Sequence, residues 1–286
     1  MTGVLSPRDL VLSVRDLPSP PEVYRRLTAE MERPDWKVAD LARVVEADAG
    51  VAARTLRLAN SSFYGSPREV GTVGEAISLV GTEELRSLVL ATTVLESFRG
   101  VPAELVSMRD FLSASVRCAA TCARLATRAG PPVERGRLFI SGLLHDVGSL
   151  VVCMLLPEAT RAALLHGVRG PCEDGVSIER EVMQSEDAPV GAALLDHWRL
   201  PESVVAAVRW HPSPEQAERY RTEAALVGLG SRLALGLARG IHNLTDQVPA
   251  ESALWRQGGV TPEELAGLAD EVEADYAATM SLFPAN

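Results

Sequence analysis

Apolar residues recur at three- and four-residue steps along most of the chain, and strand-like alternation is rare. That period predicts helices almost throughout. Leu41, Val44 and Val45 make one stripe, and after a break at Asp48, Ala49 and Gly50 a second runs through Val51 and Leu58. The spacing reads as helix, turn, helix, with the second helix stopping in the small polar residues before Gly65. EAISLVG and TEELRSLVLATTVLESF read as two further helices parted by Gly81.

The pattern changes at FRGVPAE, a short link between these short helices and longer ones. It divides the chain into residues 1–101 and 102–286. In the second part a long helix is expected from about Glu104 to Ala129. LFISGLLHDVGSLVVCMLL follows as one helix, apolar on nearly every side, which belongs in the middle of a bundle. A helix is expected to begin near Ile178, and APVGAALLDHWRLPESVVAAVRWHP predicts two more, the second opening at Pro201-Glu202-Ser203. AALVGLGSRLALGLA is another apolar helix. VTPEELAGLADEVEADYAATM, with Thr261, Pro262 and Glu264 at its start, predicts a single terminal helix that covers the core or serves in homodimer formation.

Composition narrows the class. The 286 residues are 47% hydrophobic and 23% charged, enough apolar material for a real core. The start, MTGVLSPRDL, lacks the pattern of an export signal, and the longest apolar stretch, Leu150 to Leu156, is short for a membrane span. A cytoplasmic protein without membrane insertion is expected. Cys118, Cys122, Cys153 and Cys172 form no CxxC pair, and Cys118 and Cys122 can share one helix face as packing residues. A formal net charge of −10 argues against nonspecific nucleic-acid binding, which depends on Lys and Arg neutralising phosphates.

One dipeptide carries chemistry. His145 and Asp146, in GLLHDVG, offer an imidazole nitrogen and a carboxylate oxygen that could ligate one divalent cation. A hydrolytic metal needs several protein ligands and an open position for water. His197 and His211 each stand beside a tryptophan, and His166 and His242 in glycine-flanked contexts. No histidine occurs between Met1 and Leu144. A buried polar cluster that fixes helix register would also account for the dyad. Asn60, Ser61 and Ser62 likewise have a plain reading as helix-end caps.

Two groups of segments resemble a known family. PSPPEVYRRLTAEM, DLARVVEADAGVAARTLRLANSSFYG and AISLVGTEELRSLVLATTVL resemble the N-terminal half of HDOD proteins, the bacterial HD-related output domains. GLLHDVGSL and VGAALLDHWRLPESVVAAVRWH resemble the C-terminal half, so the likeness runs from about Leu17 to Gly236. It implies an all-α multi-helix bundle: a short-helix N-terminal subdomain packed on an HD-like helical subdomain. It also implies where the metal ligands of true HD phosphohydrolases would fall. The first histidine position, in FLSAS, is Ala114; the distant aspartate position, in LGSRL, is Ser231; a further histidine position of some relatives, in DAPVG, is Asp187. Of the four core ligands only His145 and Asp146 remain, a vestigial dyad without metal or cofactor.

The resemblance therefore implies a noncatalytic signalling or regulatory protein that works through contact with bacterial signalling partners, using the groove between the two subdomains. Two alternatives stand beside it. A nucleotide or cyclic-dinucleotide module would draw on Arg54, Arg57, Arg117 and Arg137. A divergent metal-dependent phosphohydrolase would recruit Asp187, His197 or His211 to the dyad.

Overall fold

A computed structural model describes residues 20–60, 68–94, 98, 101–130, 132–158, 160–162, 187–241, 247–249 and 251–280. The described residues form helices and their connections, with no strand among them. Five short helices come first: α1 (Glu22–Met31), α2 (Val38–Glu46), α3 (Ala49–Ala59), α4 (Val73–Val80) and α5 (Thr82–Thr93). The second part holds α6 (Met108–Ala126), α7 (Arg135–Leu144), α8 (Val147–Leu155), α9 (Asp187–His197), α10 (Glu202–Trp210), α11 (Arg221–Ala238), α12 (Ala253–Gly258) and α13 (Leu268–Met280). The helix expected near Ile178 lies outside the described residues, as do Ser61, Ser62, His166, Cys172 and His242.

Local chemistry sets several boundaries. The Asp48 carboxylate accepts a hydrogen bond from the Val51 amide at 3.0 Å, starting α3 after the predicted turn. Thr72 and Glu75 form a reciprocal capping box at the start of α4. The long helix starts later than its pattern suggests, because Ser107 caps α6 by accepting from the Asp110 amide.

Two expected helices are each divided. The apolar run is interrupted at His145 and Asp146, so α7 and α8 meet at a corner. Thr261 and Glu264 do form a capping box, but it opens only a 3-10 turn, Pro262–Leu265. Gly267 then adopts φ +75°, a left-handed backbone that glycine accepts freely, before α13 begins.

Apolar burial joins the two parts. One buried cluster includes Tyr24, Leu27 and Leu41 from the short helices together with Phe139, Leu150, Leu194 and Trp198 from the second part. The Tyr24 hydroxyl donates to the Trp198 carbonyl at 2.7 Å, and Phe98 packs on the Trp198 ring. A second cluster lies among α6, α11, α12 and α13. α6 serves both: Val116, Ala119 and Ala123 face the first, while Cys118, Ala120, Cys122 and Leu125 face the second.

The stretch Arg135–Leu155, which includes the corner, is 21 residues long and apolar enough by length and composition to cross a membrane. Sequence reading of the shorter Leu150–Leu156 segment missed this. The run passes through the interior of the bundle, where most of it is buried against neighbouring helices.

Candidate functional site

The dyad stands at the corner between α7 and α8, and close helix approaches fix it there. A Cβ on Gly142 would meet the Cys122 sulfur at 2.8 Å, so α7 lies directly against α6. On the other side a Cβ on Gly148 would stand 1.9 Å from the Asp187 carbonyl oxygen, so α8 lies against the start of α9. His145 thus sits between two contacts that leave no space for a side chain.

The His145 ring is buried, and its Nδ1 lies 2.8 Å from the Gly142 carbonyl oxygen. A carbonyl only accepts, so Nδ1 carries the proton. Asp146 takes φ −108° and ψ 15°, a conformation that closes the helix, and its carbonyl accepts from the Ser149 hydroxyl at 2.8 Å. His145 and Asp146 therefore stand on a helix break.

His211 reaches the same place from a distant part of the sequence. It caps the end of α10, with its Nδ1 2.8 Å from the Val208 carbonyl, and its ring centroid lies 5.5 Å from that of His145 at an interplanar angle of 77°. α11 holds this joint: a Cβ on Gly228 would stand 2.4 Å from the His211 carbonyl oxygen. Burial pushes the His145 pKa down to about 4. His211, which keeps partial solvent contact, is lowered to about 3, first by desolvation and then by His145 and the nearby Arg232 guanidinium. Both rings are neutral at ordinary pH.

The other predicted positions sort as follows. Ala114 is exposed on α6, one turn before Cys118, whose buried thiol is pushed upward by desolvation, then by Cys122 and by the Asp146 carboxylate. Ser231 is partly buried on α11, three residues beyond the Gly228 contact with His211. Asp187 opens α9 beside Gly148, and His197 is exposed at the far end of the same helix. The structure thus gathers His145, His211 and the start of α9 around the corner and leaves His197 away from it. Of the three residues that the phosphohydrolase alternative would recruit, His211 reaches the dyad and His197 does not, a distinction that no local spacing in the sequence could make.

This donor set does not fit an HD-type hydrolytic metal. Among the described residues no three His, Cys, Asp or Glu side chains are grouped as metal ligands. The Ala114 methyl offers no lone pair, and the neutral Ser231 hydroxyl does not replace a carboxylate. The buried thiols Cys118 and Cys122, with sulfurs 3.9 Å apart, pack within the bundle.

Three of the four arginines considered for a nucleotide have partners within the chain. Arg117 binds Glu273 at 2.8 Å, Arg137 pairs with Glu134 at 3.3 Å, and Arg57 reaches the Ala53 carbonyl on its own helix. Asn60, the described member of the polar trio, is a structural clamp. Its side-chain amide donates to the Leu56 and Val70 carbonyls at 2.9 and 2.8 Å and accepts from the Val70 amide at 2.7 Å.

Beside the corner lies an apolar cleft, about 250 Å³ including its open mouth, lined by Val94, Phe111, Ser115, Leu144 and Val147 among others. Val94 comes from the short-helix part and the rest from the second, so the cleft marks the junction between them.

A family model described as the HDOD domain matches residues 17–214. The chain belongs to the HDOD family. Solved structures reproduce this HDOD fold over nearly its whole length. One, from Shewanella amazonensis SB2B and provisionally named a phosphohydrolase, aligns with a TM-score of 0.74 at 23% identity, covering 99% of this chain and 100% of its own. Another, an HDOD domain protein of unknown function from Geobacter sulfurreducens, has a TM-score of 0.72 at 21% identity, covering 98% and 97%. An uncharacterized Treponema pallidum (strain Nichols) protein is 24% identical over 212 residues, 73% of this chain and 40% of that one. The HDOD chain therefore spans well under half of that curated relative.

Proposed function

We propose that this HDOD chain is a noncatalytic bacterial signalling module that acts by contact with other proteins. The observation that carries this reading is that two of the family's four ligand positions hold groups that cannot serve: a methyl at Ala114 and a neutral hydroxyl at Ser231. Such a corner retains the helix geometry of an HD site and lacks the charge needed to fix a cation and activate water. The junction of the two parts is the surface proposed for a partner, since such junctions are frequent binding sites. A solved structure from Marinobacter aquaeolei VT8, provisionally named a signal transduction protein, shares the fold with a TM-score of 0.69 at 24% identity, covering 93% of this chain and 58% of that one. Its name supports the direction of the proposal.

One observation favours a second reading, a divergent phosphohydrolase: His211 does reach the dyad. Metal content separates the two. Protein purified without chelator or a histidine tag should carry far less than one equivalent of Mn, Fe or Zn by plasma mass spectrometry. Near-stoichiometric metal that disappears in His145→Ala would sink the noncatalytic reading. A pull-down from bacterial lysate then tests for a protein partner.

A further inference from the structure

α13 lies on α6 through a row of ion pairs. Arg117 and Arg124 lie on α6, and Arg128 follows just beyond its end. Arg117 forms a forked contact with Glu273, Nε to Oε1 at 2.8 Å and Nη2 to Oε2 at 3.4 Å. Arg124 grips Asp275 through two bonds of 2.6 and 2.8 Å and stands 3.2 Å from Glu271. Arg128 binds Glu271 at 2.8 Å and the Glu264 carbonyl at 3.0 Å. Three cations thus meet three carboxylates, and the Arg117 guanidinium also covers the Tyr276 ring at 3.7 Å.

Apolar contact accompanies the charge, with Leu268 and Val272 in the second cluster and Ala269 packed against it. Leu268 and Val272 are the fully buried apolar residues of α13, both near its start. Farther along, Tyr276 and Met280 are partly buried against the main core cluster, beside the ion pairs of Glu273 and Asp275 and the Tyr276 hydroxyl, which pairs with Ser113 at 2.8 Å. The helix is joined to the preceding turn at Gly267, whose φ is +75° and whose added Cβ would touch nothing within 4 Å. α13 also lies beyond residues 17–214, the part matched by the family model.

We propose that α13 is a displaceable strap, and that the arginine face of α6 beneath it is a docking surface for an acidic amphipathic helix of a partner protein. This deepens the signalling reading and rests on it. α13 itself defines the chemistry of the occupant: two apolar anchors in the first turn and a half, then carboxylates spaced to meet arginines at steps of seven and four residues. Electrostatic contacts of this kind weaken as salt screens them, whereas the mainly apolar contacts of α11 do not. A local opening confined to α13 is the expected consequence.

The test uses the isolated full chain and a fluorescent peptide with the sequence of residues 267–280. Between about 0.05 M and about 0.5 M NaCl, amide exchange followed by mass spectrometry should speed up about ten-fold or more in α13 and stay constant in α11. A chain carrying Glu271→Gln, Glu273→Gln and Asp275→Asn should bind the peptide saturably by anisotropy, and a peptide with the same three changes should not bind. Exchange of α13 in step with α11 at every salt concentration would overturn the proposal, as would a folded variant that captures no peptide. Should the triple variant lose its helical circular dichroism, the salt-dependent exchange of the unmodified chain decides alone. Neither measurement needs a partner, so a blank pull-down beside a strap that opens faults the signalling reading, and a captured partner beside a rigid α13 faults the strap.

Discussion

A methyl group at position 148 would stand 1.9 Å from the carbonyl oxygen of Asp187, far inside any nonbonded carbon–oxygen distance. Backbone blocks the way on both sides, so the helices must part. Gly148→Ala should therefore cost about 3 kcal/mol, at the upper end of overpacking effects, read as a lowered urea midpoint. The neighbouring His145 makes a prediction about acid. Its folded pKa, about 4, lies below its ordinary value near 6.5, so the unfolded chain takes up more protons between those limits. The associated stability is present above pH 6.5 and is lost as pH falls toward 4, by on the order of 3 kcal/mol. Thermal melts from pH 7 to 4 should show this slope, and His145→Gln, which does not titrate, should flatten it; an unchanged slope would place the titration elsewhere. His211 adds to the same trend, because its pKa is displaced in the same direction.

At the scale of elements, Asn60 closes the approach to α4 by binding both backbone groups of the buried Val70. Asn60→Ala leaves those groups without their partner and should cost about 2–3 kcal/mol by chemical denaturation, and Asn60→Asp, which keeps the acceptor but sets a carboxylate oxygen against two carbonyls, should cost no less. Asn60 also shows what was readable in advance. Its place at a helix end predicts a capping role, and the turn at Asp48 and the break at Gly81 follow from equally local chemistry. The corner at His145 was hidden, because the apolar pattern runs on through it and the contacts that bend the chain, at Gly142 and Gly148, come from α6 and α9. The turn after Thr261 misled for a related reason: a capping box declares where a helix can start, and Gly267 decides that this one does not continue. The dyad itself was legible as adjacent residues, but the approach of His211 depends on packing between α10 and α11.

At the scale of the molecule, the short helices and the HD-like part share one apolar cluster, tied by the Tyr24 hydroxyl on the Trp198 carbonyl. Urea unfolding followed by tryptophan fluorescence and by circular dichroism should therefore give coincident single transitions, and Tyr24→Phe should shift both together by about 1 kcal/mol. Two separated transitions would show that residues on either side of the link at 101 unfold independently. The buried run from Arg135 to Leu155 has a consequence of its own during synthesis. It leaves the ribosome before α9, α10 and α11 exist to cover it, and α11 ends only at Ala238. At roughly 5–20 residues per second the nascent chain displays this greasy segment for on the order of several seconds. For that interval it resembles a membrane anchor to any factor that surveys emerging chains, so nascent chains arrested after Leu155 should bind chaperones more than chains arrested after Ala238.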